Sequence, residues 1–203
     1  MTPEEVETFE RCISVGGVAL FPADTVYGLC TEPDSREAVE RLYALKGRSP
    51  ERPAAVMFFQ LELALAALPE LGERTLEGLR RLLPGPVTAV LPNPAERYPL
   101  ACGPVPQRLG LRVPALEGAL RPLAEARWPV LQSSANPSGG PDARRLADVD
   151  PAIRRGVDLE LDGGELPGSP STVVDLCEYE TGGTFAVLRE GALPAGELAA
   201  LLG

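Results

Sequence analysis

Five short polar stretches hold the residues of this sequence that could do chemistry. They are Pro22-Ala23-Asp24-Thr25-Val26-Tyr27-Gly28-Leu29, Lys46-Gly47-Arg48, Pro84-Gly85-Pro86-Val87-Thr88, Ser134-Ala135-Asn136-Pro137-Ser138-Gly139 and Ser171-Thr172-Val173-Val174-Asp175. Lys46 and Arg48 have the makings of a polyphosphate clamp: a point charge, a two-pronged donor, and a glycine between them that lets the backbone come close. Basic residues also finish helices simply to satisfy the last carbonyls. Ser134, Asn136 and Ser138 offer hydroxyls and an amide that could cradle phosphate oxygens, and the same residue types make ordinary turns after a strand. Asp24 and Thr25 suit the amine and hydroxyl of an amino acid, or an Asx turn. Thr88 and Thr172 read singly as structural residues; it is the five stretches together that point to a site.

The chain has no histidine. That removes the usual general base, the usual zinc ligand and every Ser-His-Asp or Cys-His arrangement. What remains is catalysis by positioning and fixed positive charge, which suits phosphoryl or nucleotidyl transfer, where the substrate and Mg²⁺ carry much of the reactivity. A net charge of −10 argues against a surface that attracts polyanions everywhere, and leaves room for one local basic cavity. Cys12, Cys30, Cys102 and Cys177 stand singly with no C-x-x-C pair, as expected of reduced thiols in the cytoplasm. The acidic start, Met1-Thr2-Pro3-Glu4-Glu5, is unlike a secretory signal. The apolar stretch Ala54 to Leu68 is broken by Gln60 and Glu62, so no membrane segment is expected.

The elements that must position these loops alternate between strand and helix. Val6, Phe9 and Ile13 predict an amphipathic helix over Pro3 to Val15, stopped by Gly16-Gly17. A second helix begins at Asp34 and delivers Lys46 to Arg48 at its end; others are expected over Leu61 to Leu68, Glu73 to Leu83, Leu116 to Ala126 and from Pro194. Apolar runs predict strands at Val18 to Phe21, Ala54 to Phe59, Val87 to Leu91, Leu109 to Val113, Pro129 to Gln132, Val157 to Leu161, Thr172 to Leu176 and Phe185 to Arg189. Pro22 is read as opening a loop. The hairpin-like final strands indicate a mixed sheet, and 203 residues suit a single α/β (α+β) domain over 1–203.

In order and spacing the five loops resemble the YrdC-like family, over nearly the whole chain from Gly16 to about Ala192. The resemblance implies a twisted mixed parallel and antiparallel sheet flanked by helices, with a concave, positively charged cavity. It also implies synthesis of threonylcarbamoyl-AMP from L-threonine, bicarbonate and ATP with Mg²⁺, for modification of tRNA. Divergent members are alternatively nucleotide- or RNA-binding modules. By resemblance Lys46, Arg48, Ser134 and Asn136 form the catalytic quartet; Thr25, Thr172 and Arg112 contact threonine or its carbamate; Arg52, Thr88 and Arg189 join Arg48, Ser134 and Asn136 at the nucleotide. The chain departs from the family pattern at Ser49, Arg52, Ala54, Met57 and Asp142, with Met57 standing where some synthases have a threonine-contacting histidine.

Overall fold

A computed structural model describes residues 1–203. Nine strands form one sheet: β1 (Ala19–Pro22), β2 (Tyr27–Thr31), β3 (Ala55–Met57), β4 (Val87–Pro92), β5 (Arg108–Arg112), β6 (Val130–Ser134), β7 (Leu159–Glu160), β8 (Thr172–Asp175) and β9 (Ala186–Arg189). Their order across the sheet is β7-β1-β2-β6-β3-β5-β4-β8-β9. The pairs β1/β7, β3/β5 and β4/β8 are parallel and the other five antiparallel, so the sheet is mixed, as the terminal hairpin indicates. No helix is long and apolar enough to cross a membrane.

The sequence reading needs correction at several elements. The loop after Pro22 is only residues 23–26; β2 then returns antiparallel to β1, pairing Phe21 with Gly28 and Pro22 with Tyr27. All five β2 residues are buried, so the strand has no polar alternation to betray it. The helix expected over Leu116 to Ala126 is a 3-10 helix, Gly118–Glu125, with Pro122 inside it, a residue that cannot donate the i→i−4 bond of an α-helix. Short helices at Pro99–Cys102, Pro151–Gly156 and Tyr179–Gly182 lie below the length at which periodicity shows.

Period-two alternation divides the strands between two faces. One face sends Leu20, Leu29, Val56, Leu111, Leu131 and Val174 into the larger core, beneath Leu42 of helix α2 (Arg36–Lys46), Leu79 of the helix Glu73–Leu82 and Leu198 of the helix Ala195–Leu202. Part of the opposite face packs Phe21, Cys30, Met57 and Val130 against Phe9 and Ile13 of helix α1 (Pro3–Ser14) and against Leu123. Phe9, Phe21 and Phe59 form a three-ring cluster with centroids 5.6–6.3 Å apart. Helix α1 is fixed at its start by a Thr2/Glu5 capping box. The rest of this second face is concave and open.

Candidate active site

The open half of the face is a cavity of about 490 Å³, lined largely from β3, β4, β5, β6, β8 and β9. Strand β5 alternates cleanly. Leu109 and Leu111 enter the larger core, while Arg108, Gly110 and Arg112 line the cavity. Its floor is made of small residues: Ala55 pairs with Gly110, where an added Cβ would lie 3.3 Å from the Ala54 carbonyl oxygen. Arg48, Arg108, Arg112 and Arg189 all line the cavity, against a single acid, Glu51. Arg108 is paired with Asp175, half exposed, so solvent weakens its hold on that arginine.

Arg112 is the deepest of these charges. Its Nη2 donates to Asp24 Oδ1 and Thr25 Oγ1, and Asp24 Oδ2 accepts the Ala115 N–H at 3.1 Å. Both side chains of the pair are nearly inaccessible, at 4% and 6% exposure, which makes each dependent on the other. Burial lowers the Arg112 pKa and the Asp24 carboxylate opposes that shift. Arg112 Nε has no partner in the protein. Asp24 therefore holds Arg112 and the turn at Ala115 rather than presenting a free carboxylate to an amine, and Thr25 lies buried behind the lining residues.

The last carbonyls of helix α2 are met by backbone groups and not by its basic side chains. Ser35 caps its start, and Gly47 at φ 57° ends it, with Gly47 N–H bonded to the Ala44 oxygen at 3.1 Å and Arg48 N–H to the Tyr43 oxygen at 2.9 Å. This turn brings Arg48 to the cavity wall, over the Tyr43 ring and donating to the Pro53 oxygen; Arg48 Nε has no partner. Lys46 is buried behind the Ser134–Asn136 loop. Its ammonium donates to the Ser134 oxygen, to the Asn136 oxygen at 2.7 Å and to Asn136 Oδ1 at 3.1 Å. Burial, reinforced by the Arg48 charge and opposed by Asp142, lowers its pKa to about 8. Asn136 Oδ1 also accepts from Ser134 Oγ at 2.7 Å, and Asn136 Nδ2 donates to the Gly140 oxygen. Lys46 and Asn136 thus organise the loop that presents Ser134 to the cavity.

On the far wall Thr88 Oγ1 and Ser171 Oγ lie 2.8 Å apart, and Arg189 donates to the Ser171 oxygen at 2.8 Å. Arg48, Arg112, Ser134, Thr88 and Arg189 are therefore brought to one cavity. Arg52 is not among its lining residues and lies 3.4 Å from Ser138 Oγ. Thr172 faces away: its hydroxyl donates to the Leu193 oxygen and accepts from the Gly191 and Leu193 N–H groups, fixing that turn. Met57 is fully buried in the smaller core beneath α1, so it does not occupy a substrate-contacting place. Missed in the sequence were Arg108 and Gln132. The strict alternation of Arg-Leu-Gly-Leu-Arg on β5 is the signal that could have found the first.

Three comparisons match this arrangement. A family model for Sua5, YciO and YrdC, described as telomere recombination, matches residues 11–191. The threonylcarbamoyl-AMP synthase of Pyrococcus abyssi is 33% identical over 94% of this chain and 55% of its own length, so the chain spans about half of that relative. The synthase of Hahella chejuensis is 30% identical over 88% of this chain and 94% of its own. The structure of P. abyssi Sua5 complexed with L-threonine superposes with a TM-score of 0.79 at 28% identity, covering 100% of this chain and 58% of that one.

Proposed function

The chain belongs to the Sua5/YciO/YrdC family, and we propose that it is a nucleotidyltransferase making threonylcarbamoyl-AMP from L-threonine, bicarbonate and ATP. In this reading threonine's amine takes up the bicarbonate carbon as a carbamate, with loss of water. A carbamate oxygen then attacks the α-phosphorus of ATP, the bond to the β-phosphate breaks, and pyrophosphate leaves. The resulting mixed anhydride serves the modification of tRNA.

The observation that carries the reading is the cavity itself: four arginines on a small-residue floor, in a protein without histidine and with net charge −10. Nucleotidyl transfer needs alignment and charge compensation more than a resident base. Arg48 and Arg189, with Thr88 and Ser134, would meet the nucleotide, Arg52 would reach it from the rim, and Arg112 would meet the carboxylate of threonine beside Thr25. Lys46 and Asn136 would keep Ser134 in place. No group of three or more acidic or cysteine side chains is gathered to hold a metal, so Mg²⁺ fits this site as the counter-ion that ATP brings on its phosphates. Four free thiols agree with the reducing cytoplasm this reading assumes.

The test is to incubate the protein with ATP, Mg²⁺, bicarbonate and each of several amino acids, measuring pyrophosphate and the adenylate by mass spectrometry. Threonine-dependent pyrophosphate together with the adenylate mass is the expected result. Pyrophosphate that appears without any amino acid, or none with any, overturns it.

A further inference from the structure

On β6 the alternation that sends Leu131 into the larger core turns Gln132 to the cavity, one step deeper than Ser134. Gln132 is 8% exposed, yet its side-chain amide bonds no group of the protein. The amide atoms themselves keep contact with solvent through the cavity, so their hydrogen-bonding capacity is open to a ligand that displaces that water. Room is also cleared around it. Its neighbour on β3 is Ala55, beyond which lies Gly110, and on β2 a Cβ at Gly28 would stand 3.4 Å from Gln132 Oε1. The free amide lies on the small-residue floor, between the Ser134 row at the rim and the Arg112 row below.

We infer that Gln132 is a specificity-determining contact of this cavity, its amide bonding the side-chain hydroxyl of the amino-acid substrate; the inference rests on the proposed synthesis. A hydroxyl carries one donor and can accept, and an amide offers the complement of both. Carboxylate and phosphates are better met by the arginines, and the remaining carbon of a small side chain can meet Ala55 and Val26, which also line the cavity. A site built to bond a hydroxyl rejects the analogue lacking it, because its own polar group is then left unmet.

The test measures calorimetric binding of L-threonine and its near-isostere L-valine, with a non-hydrolysable ATP analogue present, to the wild type, Gln132→Leu and Gln132→Met. The wild type is expected to prefer threonine by at least about tenfold. Both variants should lose that preference while keeping analogue affinity and melting temperature. A wild-type ratio near one, binding of neither amino acid, or variants that keep the ratio overturn the contact, and so does a joint loss of amino acid and analogue. If neither variant folds, the wild-type ratio alone decides. Pyrophosphate release separates the two claims: selective binding without turnover sinks the synthesis and leaves the contact standing, whereas equal turnover of threonine and valine does the reverse.

Discussion

Along β3 and β6 one face of the sheet changes character within two residues. Met57 and Val130, directly paired, are fully buried with Phe9 and Phe59 beneath α1, whereas the next pair on that face, Ala55 and Gln132, lines the open cavity. The strands are the same and the alternation is the same. What differs is the cover: a capped amphipathic helix over one half, and nothing but small side chains and guanidinium groups over the other. The covered half gains the burial of large apolar side chains, about 1.5–3 kcal/mol each. The open half carries a buried ion pair whose desolvation offsets much of its attraction. It can do so because the larger core lies behind both halves and holds the strands without its help.

The sharpest way to break this comparison is Arg112→Met. It leaves the Asp24 carboxylate buried with only the Ala115 N–H and should cost about 3–5 kcal/mol in urea unfolding, together with more than about a hundredfold in turnover. The double variant Arg112→Met/Asp24→Asn should recover most of the stability and none of the turnover. A double variant as unstable as the single one would mean that Arg112 acts through packing, and the open half would then be as structural as the covered half.

Phe9→Ala probes the other side of the divide. Removing the ring that touches both Phe21 and Phe59 should cost about 3–5 kcal/mol of stability. At a temperature where both proteins are folded, the KM for ATP should be unchanged. A large rise in that KM would show that the two halves are mechanically coupled through β3 and β6.

The larger core was legible in the sequence, since Leu109, Leu111, Val174 and their partners fall in short apolar runs between turns. The hidden strand β2 was not, because all five of its residues are buried and it follows a four-residue hairpin connection just after Pro22. In the site, the loops named from residue types do surround the cavity, but types alone could not say which way a side chain faces. Thr172 and Thr88 are both strand threonines opposite one another's neighbours, and only register turns the first to the Leu193 turn and the second to the cavity. Asp24 read as a ligand for an amine because its partner, Arg112, lies 88 residues away in sequence. Gln132 was passed over because a glutamine at the end of an apolar run looks like the end of a strand rather than its floor.

The smallest expected effect concerns Lys46, which borders the open half without entering it. With its pKa lowered to about 8, it loses its proton in the folded protein well below the ordinary 10.5. Between those two values the unfolded chain holds more protons than the folded one, so stability should rise with pH from about 8 to 10.5, and the burden of burying the charge should be fully present below 8. Function should move the other way. A neutral amine has two N–H groups for the three acceptors that Lys46 now satisfies, so the Ser134–Asn136 loop loosens, and a positive charge behind the cavity wall disappears. The KM for ATP should therefore climb above pH 8, by at most about tenfold per unit. In Lys46→Met the rise of stability over that window should vanish, read by urea unfolding at several pH values. A variant that keeps the wild-type slope would assign the titration to another group, and Lys46 would then be a strut of the loop that stays charged through the window.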